Sequence, residues 1–541
     1  MNGYDVMARI LQAEGVEYLM AFPHQTLIEA CSKIGIKPII CRQERAGVNM
    51  ADGFSRMTNG RTFGVFAMQQ GPGAENAFGG IAQAYADSIP MLHLPGGEAL
   101  ARQGVEPTFD AVRNYEHITK WGARIHKTGE IPAMMRRALG EMKNGRLGPV
   151  LLEMPGEVMY GEFEGDLNYT PVKRRLSAAS SEDVRDLVTA LLKASNPIIN
   201  AGHGLMFAEA TDELVEFAEL TQVPVMTTLA GKSGFPENHP LALGAGGSSR
   251  TLMVRRFVDN TDFVLGVGTS FTRNTFTTPM RDNVVMAQVT NCAEDIGKDY
   301  EIMYGAVGDA KVVLRQMIEE AKSHLGEGGR QNDAAARVAA VRKEFMDIWG
   351  PHMTSDEVPI SPYRVIHELA NAVDVANTTI THDSGYPREQ LVPIWQPTTP
   401  RGYFGWGKST QLGYGLGLAL GAKMAAPERT VINIMGDAAF GMSGLDLETG
   451  VRMNIGILTV VLNNGVMTQY DSHMPNASDV YGSNQLAGNY ADVGAALGTH
   501  AERVDDPNAL AGAIQRALAA TNEGQPAVLE VMTKAEPNVP K

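Results

Sequence analysis

Two short apolar runs, VINIM (residues 431–435) and ILTVVL (residues 457–462), each lead into a polar pair, Gly436-Asp437 and Asn463-Asn464. Runs of five or six mainly aliphatic and β-branched residues suit a strand buried on both faces, as in a parallel sheet. The pattern places the carboxylate and the carboxamide at one edge of such a sheet. Hard divalent cations such as Mg²⁺ prefer oxygen ligands, usually one or two carboxylates together with substrate phosphates. The pair therefore points to a metal-anchored diphosphate. Gly, Asp and Asn are also the common turn residues, so a plain βα turn is the alternative reading of these two segments alone.

The chain has 541 residues, which suits about three domains at roughly 150 residues each. With 44% hydrophobic and 20% charged residues it has an ordinary globular composition. A formal charge of -15 argues against a nucleic-acid partner, which would require a basic face. Cys31, Cys41 and Cys292 are too few and too scattered for a disulfide framework or a zinc site, and they suit a reducing compartment. The start of the chain interleaves charged with apolar residues, unlike a signal peptide. No stretch approaches the roughly 18 uncharged apolar residues of a membrane span. The expectation is a cytoplasmic protein with no membrane partner.

Strand-like and helical patterns alternate in three blocks. YLMAFP and FGVFAM belong to the first, NPIINAG and DFVLGVG to the second, and TTITHDSG, TVINIMGD and PAVLEVM to the third. This alternation predicts an α/β fold of three doubly wound domains with mainly parallel sheets. The expected domains are 1–168, 180–325 and 355–535. They are joined by the linker-like TPVKRRLSAASSED and GEGGRQNDAAAR.

In the first block, RQERAGVNMADGFSR sets Arg42 and Glu44 after the strand-like PIIC, ahead of a helix-forming run. It is followed by GVFAMQQGPGAENAFGGIAQAYADSIPMLHLPGG and later GPVLLEMPGEV, while STQLGYGLGLALGAK precedes VINIMGD in the third block. In this order the segments resemble thiamine diphosphate-dependent enzymes of the acetolactate synthase and decarboxylase-like group. Ala438 stands where that family usually has the second Gly of its metal motif. The resemblance implies a pyrimidine-binding first domain, a central domain and a diphosphate-binding third domain.

It also implies roles for individual residues. Glu44 would hydrogen-bond the cofactor's aminopyrimidine and promote loss of the thiazolium proton, a task helped by an apolar setting that raises a carboxyl pKa. Leu412 would wedge the bent cofactor, with Gln411 beside the pyrimidine. Asp437, the Asn464 side chain and the Val466 carbonyl would bind Mg²⁺. Gly436, Ala438 and Ala439 would face the phosphates, with Ser384, Gly385 and Tyr386 as a second clamp. His24 and Gln70 are candidate catalytic groups, and Gln69, Gln70 and Phe109 candidate substrate contacts. A structural role is the alternative for His24, and turn capping for Gln69 and Gln70.

The implied activity is that of a thiamine diphosphate- and Mg²⁺-dependent lyase or carboligase acting next to a carbonyl, most simply on a 2-oxo acid. The alternatives are a 2-hydroxyacyl-CoA lyase or oxalyl-CoA decarboxylase-like enzyme, and a noncatalytic cofactor-binding homologue. A homodimer or homotetramer with active sites at the interface is implied, Glu44 meeting the partner's diphosphate site. Two departures touch the substrate: Gly96, Gly97 and Glu98 stand where acetolactate synthases carry a Gln, and Gly156 where they carry a Lys. In the central domain GVGTSFTRN and LGAGG resemble nucleotide-facing loops, and Lys120 sits where a flavin contact is expected. Val289, Thr290 and Asn291 replace the family's acidic segment. FAD is possible there but not favoured; an empty site ranks first.

Overall fold

The structure, a computed structural model, describes residues 1–541 and contains three parallel six-stranded sheets. The first holds β1 (Tyr18–Phe22), β2 (Lys37–Ile40), β3 (Gly64–Met68), β4 (Met91–Gly97), β5 (Trp121–Arg124) and β6 (Val150–Pro155). The second holds β7 (Pro197–Ala201), β8 (Val225–Thr227), β9 (Ala242–Ala245), β10 (Phe263–Val267), β11 (Val285–Thr290) and β12 (Tyr304–Val307). The third holds β13 (Thr378–His382), β14 (Tyr403–Phe404), β15 (Thr430–Gly436), β16 (Leu458–Asn463), β17 (His500–Val504) and β18 (Ala527–Met532). The three domains are α/β throughout, as the alternating pattern predicts.

Strand order separates the sheets into two kinds. The first runs β2-β1-β3-β4-β6-β5 and the third β14-β13-β15-β16-β18-β17, the same order in the same chain sequence. The central sheet runs β12-β11-β10-β7-β8-β9, the doubly wound dinucleotide-binding arrangement. Strand interiors such as β3, buried at every position, carry helices on both faces and so read as unbroken apolar runs.

The first and third domains share one core. Met20, Val48 and Phe66 of the first pack in a single apolar cluster with Leu416, Phe440 and Val461 of the third. At its centre the helix Glu44–Met57 crosses the helix Tyr414–Ala425. The approach is close enough to need glycine: a Cβ on Gly53 would run into the Leu418 carbonyl, and one on Gly421 into the Met50 carbonyl. A Cβ on Gly417 would strike Asn49. The contacts are reciprocal, Met50 matching Leu418 and Gly53 matching Gly421; in this register Gln43 matches Gln411 and Glu44 matches Leu412.

A buried charge cluster locks the crossing. Arg56 is paired with Asp52 and, at 2.8 Å, with Asp87, and donates to the Gly405 carbonyl at 3.1 Å. Tyr414 donates to Asp52 Oδ2 at 2.6 Å. Burial pushes the Asp52 carboxyl up while Arg56 opposes it, and the two Asp charges raise the guanidinium. Removing one member of such a cluster leaves an uncompensated buried charge, at a cost of about 3–5 kcal/mol.

Candidate active site

In open α/β sheets ligands settle outside the carboxyl ends of the strands, where the strand order reverses. In the first domain that point lies between β1 and β3, and the residues that follow are His24 and Gln69-Gln70. In the third it lies between β13 and β15, followed by Asp383-Ser384-Gly385 and by Gly436-Asp437. The two domains that carry these crevices share one core.

Contacts across the gap come from one chain. The Arg42 amide donates to Asp446 Oδ1 at 3.1 Å and Gln43 Nε2 to the Met442 carbonyl at 3.3 Å. Gln411 Nε2 donates to the Gly79 carbonyl of the helix Pro72–Asp87. These bonds join the first and third domains within the chain, alongside the crossed helices.

Glu44 opens its helix, is buried, and accepts from Asn76 Nδ2 at 3.2 Å through Oε2. Its Oε1 faces Gly73, where a Cβ would come to 3.5 Å. Leu412 is half-buried against the shared core. Gly413 beside it has a φ of +80°, and a Cβ there would meet Ser443 Oγ at 3.1 Å. Two polar atoms at this seat, Gln411 Oε1 and Ser443 Oγ, are buried without a partner. Such atoms cost free energy unless a ligand or water satisfies them.

Asp437 begins the helix Asp437–Ser443 and is buried. Its Oδ1 accepts from the Ala438 amide at 2.8 Å and its Oδ2 from the Gly465 amide at 3.0 Å. Burial raises its pKa against these amides. Asn464 Oδ1 accepts from the Val466 amide at 3.0 Å. The strand-like bonds of this loop use the Gly465 carbonyl and leave that of Val466 out. No three His, Cys, Asp or Glu side chains cluster to hold a metal. One carboxylate, one carboxamide and one carbonyl fit Mg²⁺ only when phosphate oxygens complete its sphere. The Ala438 amide, expected to face the phosphates with that of Ala439, donates here to Asp437.

Ser384 is buried, Gly385 has a φ of +87°, and half-buried Tyr386 opens the next helix. They follow β13 beside β15, where a Cβ on Gly436 would lie 3.6 Å from Pro387. Sequence reasoning passed over Asp383. Its buried carboxylate accepts from the amides of Ser384 at 2.7 Å, Gly413 at 2.9 Å and Gly415 at 3.0 Å. It thus ties the end of β13 to the glycine turn carrying Leu412; burial pushes its pKa up to about 6 against those three amides. An acidic residue just past β13, in the place that Asp437 takes past β15, was the available signal.

On the substrate side, His24 is buried, edge-on to Tyr4 with centroids 5.7 Å apart, and burial lowers its pKa to about 4. A Cβ on Gly96 would stand 3.3 Å from Gln70 Oε1 and 3.6 Å from His24 Nε2. The three line one space. Gln69 is exposed, as is Gln70, and its carbonyl accepts from the Ala74 amide at 3.1 Å. Phe109 lies edge-on to Tyr115 at 6.4 Å, and Tyr115 bonds the Ala74 carbonyl.

The central domain has a cavity at the carboxyl ends of its strands, reached by Arg146, Arg174 and Lys408 and lined by Phe271 and Met280. Asn200 Oδ1 and His203 Nδ1, on its wall, are buried without partners. Lys120 is not on this wall; its ammonium binds the carbonyls of Glu141 and, at 2.7 Å, Asn144, closing the end of a helix.

Comparison with known proteins yields three family matches in chain order. Residues 1–118 match the thiamine pyrophosphate enzyme N-terminal TPP binding domain, 184–317 the central domain, and 383–531 the C-terminal TPP binding domain. A probable acetolactate synthase large subunit of Methanococcus aeolicus is 29% identical, covering 96% of this chain and 90% of that protein. The acetolactate synthase isozyme 3 large subunit of Escherichia coli K12 is 26% identical, over 96% and 92%. A glyoxylate carboligase of Escherichia coli O157:H7 is 28% identical, over 100% and 94%.

Proposed function

Since the chain belongs to the thiamine pyrophosphate enzymes, in their acetolactate synthase-like group, and is a thiamine diphosphate-dependent carboligase acting on 2-oxo acids, we propose that its reaction is centred between Glu44 and the Asp437–Asn464 edge. The observation that carries this placement is the single core shared by the two domains, with unpartnered Gln411 Oε1 and Ser443 Oγ beside the glycine turn at Gly413. Thiamine diphosphate supplies a carbon nucleophile and an electron sink when bound.

The protein's own residues bind, orient and move protons. Glu44 holds a proton at Oε1 against the cofactor's pyrimidine, with Oε2 fixed by Asn76. Leu412 and Gln411 shape the seat beside it, and Asp383 fixes the turn that carries them. Asp437, Asn464 and Val466 carry Mg²⁺, and Ser384, Gly385, Tyr386, Gly436 and Ala439 close around the phosphates. His24, neutral because it is buried, accepts a proton or a hydroxyl hydrogen bond from the substrate, and Gln70 binds its carbonyl. The absence of a side chain at Gly96 leaves Gln70 and His24 clear to meet the acceptor, with Phe109 and Gln69 as further substrate contacts.

The test is carboligation by the purified protein with thiamine diphosphate and Mg²⁺. Pyruvate and glyoxylate serve as donors and a panel of 2-oxo acids and aldehydes as acceptors, with products read by NMR. A product that depends on both additions supports the reading; turnover that survives Glu44→Ala sinks it. A cofactor-binding scaffold without turnover is the outcome of the other class.

Two finer points belong to the same reading. The central cavity has the apolar walls and two unpartnered polar atoms that suit a nucleotide-type group, FAD or a CoA adenine, while its Arg146 and Arg174 are already paired with Asp295 and Asp309. A flavin spectrum or co-purified ADP decides between them, and neither would leave the site empty. The exposed Phe78 and Tyr85 of the helix Pro72–Asp87, with Met442 and Leu445 at 49% and 62% exposure, suit a second copy of the chain, giving a dimer or tetramer.

A further inference from the structure

Glu530 is a fully buried carboxylate on β18, on the face it shares with Val528, and none of the proposed site residues is on its strand. A buried ion costs more than a well-packed aliphatic side chain would, unless its partners repay it. The partners here are three donors. Oε1 accepts from Asn463 Nδ2 at 2.7 Å and from Arg503 Nη2 at 3.0 Å, and Oε2 accepts from the Ala491 amide at 2.8 Å.

The bond to Asn463 fixes which way its carboxamide points. With Nδ2 committed to Glu530, Asn463 Oδ1 faces the loop and accepts from the Gly465 amide at 3.1 Å. The same amide reaches Asp437 Oδ2 at 3.0 Å. The bond to Ala491 fixes the other end of the structure that the loop leans on. Residues 465–467 pair with 484–486, the Met467 amide donating to the Asn484 carbonyl at 2.7 Å and the Leu486 amide to the Gly465 carbonyl at 2.8 Å. The chain then enters the helix Tyr490–Ala496, whose second residue is Ala491. One carboxylate therefore grips the loop where it leaves β16 and the helix into which its pairing segment runs.

We propose that Glu530 is a positioning residue for the metal loop, acting through the Asn463 carboxamide to keep Asn464, Gly465 and Val466 in register with Asp437. The inference rests on the reading of Asp437 and Asn464 as metal ligands. It adds a residue that touches neither metal nor cofactor yet sets how well both are held.

The experiment titrates Mg²⁺ into the full-length protein at fixed thiamine diphosphate and follows cofactor binding by calorimetry. Glu530→Gln keeps the shape but presents a donor to either Asn463 Nδ2 or the Ala491 amide. It should raise the half-saturating Mg²⁺ concentration about tenfold, as expected for one misdirected buried hydrogen bond. At saturating metal, kcat should stay within about threefold of the parent. Asn463→Ala should weaken binding to the same degree. The double variant should be no weaker than either single one, because coupled residues are not additive. Arg503→Ala, which leaves the Asn463 bond in place, should stay within about twofold of the parent.

A Glu530→Gln protein with unchanged Mg²⁺ dependence overturns the proposal, and so does a double variant whose losses multiply. If Glu530→Gln does not fold, Asn463→Ala decides alone: tenfold weakening supports the proposal, and binding within twofold of the parent overturns it. Asp437→Ala separates the two readings. Metal-dependent binding that survives it removes the ligand assignment itself, whereas binding lost in Asp437→Ala and kept in Glu530→Gln removes only the role of Glu530.

Discussion

Glu44 has one oxygen fixed by Asn76 and the other open toward Gly73, so its charge can be removed without disturbing the packing around it. Glu44→Gln should lower kcat by about 100-fold or more, the usual reach of a positioned acid or base, and leave Mg²⁺ and cofactor affinity within a few-fold. Steady-state kinetics with calorimetry checks both halves. His24 makes a prediction in pH. Its folded pKa of about 4 lies below the unfolded value near 6.5, so the folded state refuses a proton that the unfolded chain accepts. Its contribution to stability is present above about pH 6.5 and is lost as pH falls toward 4. His24→Gln should flatten that acid limb in denaturant titrations, and the parent's rate profile should show no His24 ionisation between pH 5 and 8. At Gly96 the expectation is steric. Gly96→Ala would put a Cβ 3.2 Å from the Gln70 amide nitrogen and 3.6 Å from His24 Nε2, crowding both, and should raise KM for the larger acceptors first, which a substrate series measures.

Among the elements, strands were the most legible. VINIM and ILTVVL are β15 and β16 nearly to the residue, because strands buried on both faces are apolar at nearly every position, Asn433 and Thr459 being the single polar residue in each. The helix after Glu44 was legible for a similar reason, its small residues crowding one face. What sequence could not display is contact between distant segments. Asn76 is an ordinary helix residue until the helix Pro72–Asp87 is set beside Glu44, and Asp383 is an ordinary turn residue until three amides converge on it. Lys120 misled in the opposite way: a cation at the expected position spends its charge on the end of a helix. The helix crossing is where element-scale substitutions should act. Gly53→Ala or Gly421→Ala forces the backbones apart and should cost about 1–3 kcal/mol, while Arg56→Met should cost about 3–5 kcal/mol by stranding Asp52 and Asp87. Urea titration gives each value. Because the cluster ties the two outer domains together, Arg56→Met should also loosen the cofactor.

For the molecule as a whole, the expected three domains are organised as two like domains flanking one unlike one, a distinction carried by strand order and invisible in the apolar runs themselves. The metal proposal is global in its effect, since a cation held by one carboxylate depends on the phosphates and they depend on it. Chelation of Mg²⁺ should release thiamine diphosphate and lower the melting temperature, and restoring both together should recover it, as mass-action coupling requires. The alikeness of the outer domains reaches to single residues: in the register of the reciprocal helix contacts Glu44, at the start of its helix, matches Leu412, in the turn just before the other. Reciprocal contact is the signature of a two-fold interface between identical subunits. Here it lies inside one polypeptide, as a duplicated ancestor would leave it. At that one seat the two halves differ, the first presenting an acid and the second an apolar side chain, so the chain meets itself there as one subunit meets another.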